Sequence, residues 1–96
     1  MGPEIPRYRC HKEVRALKIK EVILDSVLAE KEERETDGGA ILIFEATSNQ
    51  LSEQKVDYSY MKKHSPKAGG YYVVYEGGYT SFSPAEAFEK GYTLIV

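Results

Sequence analysis

The sequence predicts an α+β fold: one small domain over residues 1–96, a mainly antiparallel sheet with two short helices packed to one side. Three observations lead there. Residues 15–24, RALKIKEVIL, set Leu17 and Ile19 against Lys18 and Lys20, the period of two expected of a half-buried strand. YYVVYE and YTSF, residues 71–76 and 79–82, flank a Gly-Gly pair as the arms of a hairpin do. Ser83-Pro84-Ala85-Glu86 carries the capping serine, the first-turn proline and the returning glutamate of a helix start.

Taken in order, residues 1–8 carry Pro3 and Pro6 and form an irregular or edge-lying arm. In the segment 12–30 helix competes with strand, because Ala16, Ile19, Ile23 and Val27 also fall at helical spacing. The β-branched content and the lysine alternation favour strand for 15–24, while 27–33 stays open between a hairpin arm and a helix with a solvated charged face. Asp37-Gly38-Gly39 is a turn, and AILIFEA, 40–46, is a strand apolar on both sides and therefore central. TSNQLSEQK, 47–55, reads as a polar loop. Asp57 caps a short helix, YSYMKKHS, stopped by Pro66, with Tyr58 and Met61 inward and Lys62 and Lys63 toward water. After the turn at 67–70 comes the hairpin, then a helix carrying Phe88 inward and ending at Gly91 in a left-handed cap, then TLIV as a closing strand.

Composition narrows the function classes. Thirteen Lys and Arg against fifteen acids give a net charge of −2, which argues against a nucleic-acid partner. Arg7, Arg9, His11, Lys12 and Arg15 make the N-terminal segment locally basic, and the run from Glu30 to Asp37 is acidic, each satisfied by solvation alone. No apolar run approaches a membrane span and no signal peptide opens the chain; with Cys10 as the one cysteine, a reducing cytoplasm is the expected compartment. Cys10 and His11 are adjacent and lack zinc-ligand spacing with His64, so no metal, cofactor or catalytic residue is assigned. Gly69-Gly70 and Gly77-Gly78 are turn glycines and do not form a phosphate loop. An enzyme is not expected.

What remains is the density of tyrosine near the C-terminus. A two-residue Gly77-Gly78 loop sets Glu76 opposite Tyr79 and Val73 opposite Phe82. One face is then Tyr71, Val73, Tyr75 and Phe82, and the other Tyr72, Val74, Glu76, Tyr79 and Ser81. The first is core. The second keeps Tyr72 and Tyr79 in water, and with Ser81 on the hairpin and Arg9, His11 and Lys12 on the basic strand it makes the candidate binding surface. Against this stands the plain alternative that the rings pack across the hairpin and cover a helix or a contact between copies of the chain.

RYRCHKEVRALKI near the start and GGYYVVYEGGYTSFSPAEAFEKGYT near the end resemble small accessory proteins carried by tailed phages and prophages. The match covers the two ends, a little over a third of the chain, and leaves out the acidic middle. Its specificity lies in the fixed order of hairpin, Ser-Pro helix start and closing Gly-Tyr-Thr. The layout is also similar, more distantly, to other small phage proteins. The resemblance assigns no reaction. It implies a phage product acting in the bacterial host cytoplasm by binding a host protein, with counter-defence as one setting. The alternative it carries is a small anionic ligand, such as a nucleotide, stacked on tyrosine and met by the basic strand.

Overall fold

In the computed structural model, which describes residues 2–9 and 13–94, the alternating segment is a single long strand to which the rest of the sheet is attached. Strand β1, Arg7–Arg9, pairs antiparallel with the start of β2, Glu13–Leu24. Helix α1, Asp25–Lys31, follows without a break, and β3, Ala40–Phe44, returns antiparallel to β2 from Ile19 to Leu24 across a bulge between Ile19 and Glu21. Strand β4, Glu53–Val56, extends the sheet beside β3, and α2, Tyr58–His64, leads to β5, Tyr71–Val74, which pairs with β2 from Arg15 to Lys18. Strand β6, Thr80–Ser83, pairs with β5, and α3, Ala85–Gly91, leads to β7, Thr93–Leu94, beside β1. The α+β class holds, with three helices and seven strands among the described residues.

Period-two alternation places the core on both faces of β2 and β5. Leu17, Ile19 and Tyr72 join Ala40, Leu42, Phe44, Val56 and Tyr60 in one cluster. Val14, Ala16, Tyr71 and Val73 join Phe88 in the other. Helix α2 covers the first through Tyr60 and α3 covers the second through Phe88, so the helices lie over different faces. The expectation that they share one side is corrected.

Other boundaries also differ from the sequence reading. The arm is irregular only through Pro6 and is tied down by the Glu4 N–H donating to the Asn49 carbonyl (2.7 Å) and the Leu51 N–H donating to the Glu4 carbonyl (2.9 Å). Segment 47–55 is a loop as far as Ser52, after which β4 begins. Residues 25–31 are helix. On α2, Asp57 accepts from the Tyr60 N–H (2.9 Å) as expected of a cap, but Tyr60 is the buried ring and Tyr58 is exposed. The capping box does not form. Ser83 is held in β6 opposite Tyr71, so Pro84 takes the position before the helix with no side-chain cap, and Glu86 pairs instead with Lys90 (3.0 Å). Nor is there a left-handed cap: Gly91 ends the helix and Tyr92 continues in extended conformation. Cys10, His11 and Lys12, and the last two residues of TLIV, lie outside the described residues.

Candidate binding surface

The hairpin decides which tyrosines are free, and its loop is one residue longer than the glycine pair suggests. The Tyr75 N–H donates to the Tyr79 carbonyl (2.8 Å) and the Gly78 N–H to the Tyr75 carbonyl (3.0 Å), enclosing Glu76, Gly77 and Gly78. Both glycines sit at φ +91°, a conformation that disfavours side chains. The register therefore slips by one: Tyr72 faces Phe82, Val73 faces Ser81 and Val74 faces Thr80. A one-residue slip moves every side chain of one arm to the other face relative to its partner. Tyr72 is thereby separated from Tyr79 and Ser81.

Tyr72 itself is buried, because Phe44 of β3 and Tyr60 of α2 pack on its face of β5. It is 6% exposed, stacked on Phe44 (5.5 Å between centroids, 30° between planes) and tilted against Tyr60 (6.1 Å). Burial raises its phenol pKa, and a hydrogen bond with Thr80 opposes that rise in part. Phe82, expected in the core beside Tyr71, is half-buried against the Tyr72 cluster instead. Tyr71 keeps its core place: its ring stacks on Phe88 (4.2 Å), and its hydroxyl donates to Glu89 (2.8 Å). Burial first, then the Glu89 carboxylate, push its pKa well above that of an ordinary phenol.

Tyr79 is the ring that stays in water, at 52% exposed. It is held in place by a shell of neighbours. The Lys63 amine stands 5.1 Å from its ring centroid, His64 meets it edge-on at 6.4 Å, and Tyr75 lies across the hairpin at 5.7 Å. His64 in turn packs on Tyr60 (4.7 Å), whose hydroxyl donates to the Ser81 carbonyl (2.7 Å) and anchors α2 to β6. Partial burial, with Lys63 adding to it, lowers the His64 pKa and favours the neutral ring. Ser81 is half-buried in this contact. Arg9 is exposed on β1, in register with Glu13 and Thr93. The six predicted residues are thus not one surface: Tyr79 and Ser81 stay together, Tyr72 is core, Arg9 stands apart, and His11 and Lys12 lie outside the described residues.

Sequence reasoning missed two things. The first is that Lys63 and His64, read as a solvated helix face and a lone histidine, gather around Tyr79. The second lies at the start of α1, where Asp25 is 3% exposed. Its carboxylate accepts two bonds from the Arg34 guanidinium (2.9 and 3.1 Å), one from the Thr36 hydroxyl (2.9 Å) and one from the Asp37 N–H (3.0 Å). Arg34 also binds Glu32 (2.8 Å), and Lys55 binds Asp37 (2.9 Å). The guanidinium, then the Asp37 N–H, hold the Asp25 carboxyl well below the usual range, and Lys55 lowers Asp37. The acidic run is therefore a cross-linked loop more than a solvated face. It is a fastening of the fold, since its buried side-chain polar atoms are all paired.

Among the described residues no group of three or more His, Cys, Asp or Glu is arranged to hold a metal ion, and no helix is long and apolar enough to cross a membrane. No known protein family matches the chain, and none of the curated proteins matches it. Among solved structures, that of the monomeric form of the phage L decoration protein is similar, with a TM-score of 0.62 and 24% sequence identity over 97% of this chain. The chain spans 61% of the length of that protein's chain. The likeness is one of fold.

Proposed function

We propose that the chain is a non-enzymatic phage accessory protein that works by occupying the surface of another protein, and that this surface belongs to the phage particle. The observation that carries the reading is Tyr79: a half-exposed ring, fixed by Lys63, His64 and Tyr75, on a hairpin whose other aromatic residues are more deeply buried. A pre-positioned tyrosine gives large contact area at low entropic cost, which suits a recognition anchor. The fold likeness to a phage decoration protein favours the particle as the partner, ahead of the host protein that the sequence resemblance implies. Nothing in the arrangement of groups around Tyr79 resembles a nucleophile with its base, which favours binding over catalysis.

The test is co-sedimentation of the purified chain with particles of the phage that encodes it, using wild type and Tyr79→Ser. Wild-type protein should pellet with the particles and the variant should stay in the supernatant. Failure of the wild type to pellet, with capture of one host protein from lysate instead, would transfer the function to the host side. Equal pelleting of both proteins would remove Tyr79 from the interface.

A further inference from the structure

Beside Tyr79, between the turn that follows α2 and the junction of β6 with α3, lies an open groove of about 650 Å³. Its lining is apolar at Phe82, Pro84 and Ala85 and basic at Lys63 and Lys67, with the His64 ring, which favours the neutral form, beside them. None of its lining residues is acidic. Gly70, also in the lining, packs so closely on the Phe82 ring that no side chain fits there without displacing it. Neither Lys63 nor Lys67 belongs to an ion pair among the described residues, although the chain as a whole is net negative. A cleft of about 480 Å³ beside the hairpin loop is lined instead by Glu13, Glu76 and Arg15, an excess of one acid.

We propose that this groove docks a short acidic segment of a protein partner, with an apolar side chain on Phe82 and Pro84 and carboxylates at Lys63 and Lys67. The inference rests on the protein-binding reading above and specifies where the partner's chain lies and what chemistry it carries. Charge complementarity argues for the acidic occupant: two lysines left without counter-charge in the lining of one groove are satisfied by carboxylates and set against a basic chain. The exposed Tyr79 ring continues the groove's contact surface through Lys63, so one partner segment reaches both.

The experiment uses a fluorescein-labelled peptide alternating glutamate with valine, a matching peptide alternating lysine with valine, and inorganic pyrophosphate as competitor, read by fluorescence anisotropy. The acidic peptide should bind and the basic one should not. Raising salt from about 0.05 M to about 0.3 M should weaken the acidic peptide. Lys63→Glu with Lys67→Glu should weaken it roughly tenfold or more, since two exposed ion pairs are replaced by repulsions. Both lysines are exposed, and an unchanged circular dichroism spectrum verifies the fold of the double variant. Absence of saturation by the acidic peptide at about 1 mM overturns the proposal. So does equal binding by the double variant, or full displacement by pyrophosphate, which marks a simple anion site. Particle binding retained by a double variant that has lost the peptide removes the groove while leaving the proposed function standing. Peptide binding in a protein that never pellets with particles does the reverse.

Discussion

Replacing Tyr72 and Tyr79 by serine, one at a time, separates a structural ring from a free one within a single hairpin. Tyr72 is 6% exposed and meets Phe44, Tyr60 and Phe82. An aromatic side chain buries roughly 150–250 Å², and at about 25 cal/mol/Å² its removal gives about 4–6 kcal/mol. That is an upper bound, since the unfolded chain is itself partly collapsed, and large-to-small aromatic substitutions in cores cost about 3–5 kcal/mol. Tyr79 is 52% exposed and loses a tilted contact with Tyr75, an edge contact with His64 and a cation–π contact with Lys63, about 1.5–2 kcal/mol together at the low, exposed end of each range. A domain of this size has a stability of roughly 5–15 kcal/mol, so Tyr72→Ser takes a large share and Tyr79→Ser a small one. Urea denaturation at constant slope measures both, and Tyr72→Ser should melt at least about 12 °C below wild type. Tyr72→Phe is the control, with a loss of about 1 kcal/mol for the hydroxyl. A Tyr72→Ser protein within about 1 kcal/mol of wild type would falsify the burial of Tyr72 against Phe44 and Tyr60.

Two further outcomes are expected. The folded pKa of Asp25 lies below the ordinary 3.8, so its contribution to stability is fully present above that value and is lost as pH falls through the folded pKa. Asp25→Asn should therefore lower the urea midpoint at about pH 7, with the gap to wild type closing toward about pH 2; a gap constant over that range contradicts the buried carboxylate. At the helix starts, Asp57→Ala should cost about 1 kcal/mol because its carboxylate accepts from the Tyr60 N–H, whereas Ser83→Ala should stay within about 0.5 kcal/mol because Ser83 caps nothing. Thermal melts of the two variants measure both, and equal losses would restore the capping box.

The elements with a strong local signal were legible in the sequence. β2 follows from its lysine alternation, α2 from the Asp57 cap, and β5 and β6 from the glycine pair between them. The details that failed are those set by tertiary contacts. Whether two or three residues make the turn depends on the Tyr75–Tyr79 pair and sets which β6 side chains share a face with Tyr72, while its burial comes from Phe44 and Tyr60 packing on it. Ser83 has the identity of a cap, but pairing with Tyr71 keeps it in the strand. Asp25 begins a seven-residue helix, and its partners lie nine to twelve positions away, a separation with no periodic signature. The gathering of Lys63 and His64 at Tyr79 joins residues fifteen or more positions apart and depends on α2 docking against β6.

The same tertiary contacts explain how a chain of net charge −2 presents a basic groove. Net charge counts every group equally, but a partner responds to charges not already paired nearby. Asp25, Glu32 and Asp37 are engaged at short range by Arg34 and Lys55, and no residue of the acidic middle lines the groove. Glu89 is engaged by Tyr71 and Lys18, and Glu86 by Lys90. Lys62, Lys63 and Lys67 have no such partners among the described residues, and they cluster at the end of α2 and in the turn after it. At physiological ionic strength the screening length is about 8 Å, so a segment lying in the groove experiences those lysines and little of the paired charge beyond them. The exclusion of nucleic acid from overall composition therefore does not extend to acidic protein partners, whose recognition depends on the charge lining the groove.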